Sequence, residues 1–279
     1  MSRGGRAARP ILVLALCGLL EPLMGPGAFA QLRPLDPFDW SVFEPGRRGA
    51  VRIGAAAYSG QRAALAGTEG SLVELGTVRI TWRLDRVAFD VGWTAWRRFR
   101  DRDSFAPPTG GAEPTTRGVR ADVGDLRLAT IVRLWSDRRA AATLRFGTRL
   151  PTTDNGVGLE RDQTDFFALA GGEAVRGPLL LSIETGLGIN GTRSDTEEQL
   201  DVMLYTLRAR YRRQRWSASL ALVGQESWHR RSIRGNEDLH EARLGMRYGE
   251  RRWVSVVLIR GLTAFSPHAG IAVSAGAAF

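Results

Sequence analysis

From about residue 50 to residue 279 the hydrophobic residues of this chain recur at every second position, over segments far longer than an ordinary strand. Leu72, Gly76, Val78, Ile80, Trp82 and Leu84 alternate with Thr77, Arg79, Thr81 and Arg83. Val87, Phe89, Val91, Trp93 and Ala95 alternate with Asp90, Gly92, Thr94 and Trp96. A β-strand sends successive side chains to opposite faces, so each segment has one apolar and one polar face. The same pattern returns around Leu126–Leu134, Ala142–Phe146, Leu179–Ile189, Tyr205–Tyr211, Trp216–Leu222 and Ala242–Tyr248. No helical period interrupts it, and the chain reads as all-β.

Soluble sandwiches alternate too, so the connections carry the decision. Strands are expected at approximately 50–60, 71–84, 86–99, 120–135, 139–150, 164–175, 178–190, 200–212, 215–225, 238–249, 252–263 and 269–279. Every second connection is a tight turn, near Asp85, Asp137, Arg176, Arg213 and Glu250. The others are longer and polar, such as Asp101 to Arg117, Pro151 to Gln163 and Glu226 to Glu237. Short periplasmic turns alternating with longer outer loops mark an outer-membrane barrel. Typical soluble strands have ~5–6 residues. About ten tilted residues cover a ~25 Å apolar band. The expectation is a single transmembrane antiparallel up-and-down β-barrel of about 12 strands over 50–279, with both ends on the periplasmic side. Trp82, Tyr211, Trp216, Tyr248, Trp253 and Phe279 would form the periplasmic girdle, and Tyr58, Phe99 and Phe166 sit near the opposite rim. Trp135 has the depth of a girdle residue but the wrong phase, and the phase of Phe166 to Glu173 is ambiguous.

Residues 1–30 read as a signal peptide: basic Arg3, Arg6 and Arg9, an apolar run from Ile11 to Leu20, and Ala28-Phe29-Ala30 before Gln31. That run is shorter than the ~20 residues a spanning helix needs. Residues 31–49 are then expected as a periplasmic N-terminal arm. A lipoprotein cut before Cys17 is disfavoured by Leu16 at a position that wants a small residue. Cys17 is the single cysteine, so cleavage leaves no disulfide, thiolate nucleophile or cysteine metal site. The formal net charge is +10 and every basic residue is Arg. An export signal directs that charge toward lipid phosphates or anionic solutes rather than nucleic acid.

In the last strand Ile271, Val273, Ala275, Ala277 and Phe279 share one face. This resembles the C-terminal signal by which outer-membrane barrels are recognised for insertion, which implies the barrel-assembly machinery as a partner of Phe279. Gly124-Asp125-Leu126-Arg127-Leu128, Leu150-Pro151-Thr152-Thr153-Asp154, Thr164-Asp165-Phe166-Phe167, Arg260-Gly261-Leu262 and Ser266-Pro267 follow in order. This series is similar to the bacterial outer-membrane transporters grouped as meta-pathway phenol-degradation-like proteins, over about residues 118–279. Thr153-Asp154 departs from the Gly-Asp common in that family. The resemblance implies a transporter-like barrel in a Gram-negative-type outer membrane.

The inward face is rich in arginine. The phase places Arg52, Arg79, Arg83, Arg98, Arg127, Arg133, Arg145, Arg149, Arg208, Arg210, Arg243, Arg247 and Arg260 inside, opposed by Asp90, Asp125, Asp165, Glu173, Glu184 and Glu241. Such charges must be paired or hydrated. They read either as an ion-pair network filling the lumen or as a basic pore passing small solutes, anionic or aromatic acids. Arg100, Arg102, Arg117 and Arg120 flank the longest loop, and Arg230, Arg231 and Arg234 crowd another. Guanidinium forks there suit lipopolysaccharide phosphates.

No enzyme, cofactor or metal site is expected. Gly186-Leu187-Gly188-Ile189-Asn190-Gly191 matches the dinucleotide fingerprint, but a polar loop follows where a helix is required, so these glycines read as lumen or turn positions. His229, His240 and His268 fall at outer loops, and His229 with Ser232 or Glu226 is the one arrangement an outer-rim hydrolase could use. Asp195, Glu197, Glu198 and Asp201 lack calcium-loop spacing. A closed structural or surface-binding barrel is the third reading.

Overall fold

The computed structural model describes residues 32–279 apart from 45, 64–66, 105–117, 154–156, 158, 161–162, 192–198 and 229–237. Its strands are β1 (Gly49–Ala63), β2 (Thr68–Leu84), β3 (Val87–Ser104), β4 (Val119–Asp122), β5 (Leu126–Ser136), β6 (Ala140–Leu150), β7 (Asp165–Arg176), β8 (Leu179–Gly191), β9 (Gln199–Arg213), β10 (Trp216–Ser227), β11 (Leu239–Tyr248), β12 (Arg252–Gly261) and β13 (Ala269–Ala278). Sequence neighbours pair antiparallel, and β13 closes on β1. Both β4 and β5 lie along β3, so they are the two halves of the strand expected at 120–135, and the barrel has twelve staves. The interruption is built by Gly124, whose N–H donates to the Thr94 carbonyl, and by the inward Asp125, whose carboxylate accepts from Thr152 N–H and the Thr153 hydroxyl.

The tight connections lie at one end with Gly49 and the last residue. At Asp85 and Gln214 they place a non-glycine residue at positive φ, as two-residue hairpins require. In the turn at Asp137 the carboxylate accepts from the N–H groups of Arg139 and Ala140, which holds its carboxyl below the ordinary range. The Phe279 carbonyl accepts from the N–H of Arg48 and Gly49, and its ring is exposed.

The outer face is apolar. Ile53, Leu134, Leu220, Leu244 and Val254 are all more than half exposed on different staves. A continuous apolar belt of this kind is not left to water, and lipid is the solvent it fits. Toward the turn end Trp82, Trp135, Tyr211, Trp216 and Tyr248 are exposed, with Trp216 and Tyr248 at 4.7 Å between ring centroids.

Two bulges set which side chains reach that face. Gly76, at φ +65°, is the extra residue between Ala55↔Leu75 and Gly54↔Thr77. It switches the phase, so Leu72 and Glu74 turn inward and Leu75 turns out, against the sequence expectation for Leu72. The neighbouring strand switches at Ala95 and Trp96, which makes Arg97 the inward residue and Arg98 an exposed one. A second irregularity, between Arg133 and Trp135, turns Trp135 outward and explains its apparent misphase.

Other positions also depart from expectation. Trp253 is buried on the inner side against the Arg247 guanidinium (3.9 Å) rather than in the girdle. Tyr58 and Phe99 are buried inside, while Phe166 is exposed. Arg260 is exposed and donates to the His268 carbonyl.

A side chain at position 76 would be forced into the left-handed region with its Cβ 2.9 Å from that of Ala95. Gly76→Val is expected to cost about 1–3 kcal/mol. A lowered temperature of barrel unfolding on semi-native gels, against a Val substitution at exposed Ala57, checks it.

Candidate functional site

The lumen is occupied by the chain's own N-terminal segment. Residues 32–44 run down it from the loop end to the turn end, so the segment expected as a periplasmic arm lies within the barrel wall. Pro34 and Pro37 fix φ and favour extended backbone before them. Below them Trp40–Phe43 forms one 3₁₀ turn, and the Asp39 side chain caps it by accepting from Ser41 N–H (3.1 Å).

Apolar contact holds one side of the arm. Phe38, Trp40 and Val42 are buried against Ala88, Ala129, Ile131, Phe167, Leu169, Val202 and Leu204 of the wall. Phe167 and Leu169 therefore face inward, which settles the phase of β7. Higher up, Leu32 packs with Tyr58, Leu72, Phe99 and Leu159.

Guanidinium groups grip the rest. Asp36 pairs with Arg243 (2.8 Å) and sits 3.8 Å from Arg52. Asp39 lies 3.8 Å from Arg210 and 3.7 Å from Arg247, and Glu44 pairs with Arg212 at 3.1 Å. The wall also reads the arm's backbone. The carbonyls of Asp36, Pro37 and Phe38 accept from Arg145, Arg79 and Arg208, and Phe38 N–H donates to Glu184. From the arm itself, Arg33 pairs with the fully buried Glu241 (2.7 Å) and contacts the Tyr58 hydroxyl.

Val157, Leu159 and Glu160 also lie on the inner side, toward the loop end. Glu160 is buried between Arg97 (2.6 Å) and Arg149 (3.4 Å). Arg149 also meets Asp165 (2.5 Å) and Asp125 (3.5 Å), and Arg97 meets Glu74 (2.8 Å). Each such pair is desolvated, so deleting one partner would cost about 3–5 kcal/mol.

All ten arginines singled out for the lumen have their contacts within it or on its cavities. Arg79, Arg145, Arg208, Arg210, Arg243 and Arg247 touch the arm, as above. Arg83 faces the Glu44 carbonyl (3.5 Å), and Arg133 stacks on Phe43 (4.9 Å). Arg127 lines a cavity of about 90 Å³ beside Asp36 and makes no hydrogen bond or ion pair among the described residues. A second cavity of about 190 Å³ is lined by Asp36 and Asp39 of the arm and by β1, β2 and β9 to β12. At the rim, Arg100 is exposed and Arg102 is almost fully so, 3.6 Å from Asp103. Arg120 departs from that group, being buried inward on Asp101 (2.5 Å) and Thr68 (2.6 Å). Residues 1–30, Arg117, Asp195, Glu197, Glu198, His229, Arg230, Arg231, Ser232 and Arg234 lie outside the described residues.

Among the described residues the remaining motifs form no centre. Gly186 to Gly191 lies within β8, a wall strand, rather than on the strand-to-helix turn that a dinucleotide site requires. His240 lies edge-on to Tyr205, and His268 is exposed. An arm was expected at 31–49, but its seat in the lumen was not anticipated from the sequence. Its signal is the interleaving of Asp36, Asp39 and Glu44 with Phe38, Trp40, Val42 and Phe43, complementary to a wall both cationic and partly apolar.

A closed twelve-stave barrel with an apolar outer face and a filled polar interior defines an outer-membrane β-barrel. The solved COG4313 outer membrane channel from Pseudomonas putida F1 has this fold: TM-score 0.62, 15% identity, 88% of this chain and all of that one covered. The CymD monoaromatic hydrocarbon channel aligns with a TM-score of 0.47, 10% identity, over 90% of this chain and 98% of its own. Outer membrane phospholipase A from Escherichia coli gives 0.44, 12% identity, over 89% and 98%. No protein-family model and no curated protein matches the sequence.

Because the mature chain would carry no cysteine, Ser41→Cys, at a buried and near-isosteric position, reports whether the arm is seated. Adding Trp40→Ala removes packing of about 3–5 kcal/mol. Maleimide labelling at position 41 is expected to be slow in the single variant and roughly 10²-fold faster or more in the double one. Equal rates would show that Trp40 does not hold the arm.

Proposed function

We propose that this chain is an outer-membrane channel for small anionic solutes, aromatic acids among them, and that the seated arm is its closed state. The observation that carries this reading is the lining of the larger lumen cavity, where six guanidinium groups face two carboxylates, both from the arm. A wall so biased excludes cations and concentrates anions once the path is open. The likeness to the Pseudomonas putida channel concerns the fold, and the proposed aromatic solutes rest on the sequence resemblance.

Purified protein in a planar bilayer tests it. The full chain is expected to show small or rare conductance steps. A variant lacking residues 32–44, which removes no strand, is expected to show larger steps with anion preference. A silent arm-deleted barrel, beside a conducting control porin, would overturn the channel. It would favour the closed structural barrel that the arm's dense packing also suits.

We further propose that Arg100, Arg102 and Arg117 hold lipopolysaccharide phosphates at the outer rim. Arg100 and Arg102 are exposed, and Arg102 meets Asp103 only at 3.6 Å, so their guanidinium edges can take the bidentate contacts that phosphates form. Changing all three to Gln is expected to reduce lipopolysaccharide that co-purifies from native membranes and to lower thermal stability there. If both are unchanged, the rim is merely solvated.

A further inference from the structure

The arginines around the larger cavity are not equivalent. Of the six, Arg79 is committed to Asp90 at 2.7 Å and Arg243 to Glu241 and Asp36 at 2.8 Å. The other four are Arg52, Arg208, Arg210 and Arg247. Three of these reach a carboxylate of the arm only at 3.7–3.8 Å, beyond the 2.7–2.9 Å of a charge-assisted hydrogen bond. Arg208 reaches no carboxylate within ion-pair distance among the described residues. It gives one N–H to the Phe38 carbonyl (2.9 Å), and its buried Nε has no partner. Glu173 adds to the field at Arg208 and Arg210 without an ion pair to either. These donors surround a space of about 190 Å³, bordered by the hydroxyls of Thr81, Ser217, Ser219 and Ser255 and by the Trp253 ring.

A gap rimmed by under-used guanidinium forks and hydroxyls is built for an oxyanion. The arm shows which one, because the groups it sends toward this gap are carboxylates. We propose that the cavity binds a small monocarboxylate, and that Asp36 and Asp39 stand in for it when the channel is shut. A carboxylate entering the gap takes the forks of Arg52, Arg208, Arg210 and Arg247 at hydrogen-bonding distance. Asp39 loses its two partners, Asp36 loses Arg52, and the carbonyl of Phe38 loses Arg208. The solute therefore weakens the docking of the arm in proportion to its own differential affinity for the undocked state. This inference rests on the anion-channel reading and supplies its gate.

The test is the labelling rate of Ser41→Cys in the otherwise intact mature chain, with sodium benzoate as probe. Benzoate is expected to raise the rate several-fold with saturation. Benzyl alcohol, and sodium chloride at the same ionic strength, are expected not to. Adding Arg208→Gln and Arg210→Gln should raise the half-saturating benzoate concentration at least tenfold. Adding Asp36→Asn and Asp39→Asn should raise the basal rate instead. A rate indifferent to benzoate, or moved equally by chloride, overturns the site. Its failure is separable from that of the channel. A barrel lacking residues 32–44 that conducts anions while benzoate leaves labelling unchanged keeps the channel and removes the gate. A silent arm-deleted barrel with benzoate-dependent labelling removes the channel and keeps the site.

Discussion

Every main-chain N–H and C=O exposed to hydrocarbon must find its partner within the protein, and this requirement organises the molecule. A lipid-facing sheet meets it only by closing. Here closure is the pairing of β13 with β1 through ten residues of each, sealed by the Phe279 carbonyl on the N–H groups of Arg48 and Gly49. Once the sheet is closed, strand alternation produces two chemically separate surfaces. The apolar one has lipid as its solvent. The other receives whatever the sequence placed between the apolar residues, which is largely arginine.

That inner surface cannot stay dry and unpaired. The charges are met in three ways: by acids of the wall, as in Arg79 with Asp90; by the inward Glu160; and by the arm. The arm also covers the patch around Phe167, Leu169, Val202 and Leu204, which water would solvate poorly. One segment thus satisfies both demands, and its alternation of Asp with aromatic residues follows from the wall it faces.

The barrel was legible in the sequence because its signal is local and repeated. Period two, tight turns and polar loops state the topology stave by stave. Errors arose where one residue shifts the phase. Gly76 turns Leu72 inward, and the irregularity beside Leu134 turns Trp135 out. Alternation itself marked Trp135 as out of phase, whereas nothing in it marked Leu72. The docking of the arm inside the barrel was illegible for a different reason. The arm's wall partners lie 16 to 208 positions away, from Asp36 to Arg52 and from Arg33 to Glu241, and no periodicity links a short proline-bearing segment to them. The ambiguous stretch from Phe166 to Glu173 was the trace it left. Apolar residues there face both sides, since one face meets lipid and the other meets Phe38 and Trp40.

The two kinds of grip on the arm differ in what can compete with them. Packing of Phe38, Trp40 and Val42 is lost only when those rings leave together, and no dilute ion substitutes for it. The contacts of Asp39 with Arg210 and Arg247, at 3.7–3.8 Å, are loose enough that another carboxylate could be bound as well as Asp39 is. At the proposed site an anion acting alone would therefore weaken the middle of the arm while the apolar anchor holds. A solute that also carries an apolar ring can replace both halves of the interaction. On the proposed reading of the lumen as an anion path, an aromatic carboxylate would match it better than either a purely polar anion or a neutral aromatic. It is also the chemistry that the arm itself presents, in the sequence Asp36-Pro37-Phe38-Asp39-Trp40.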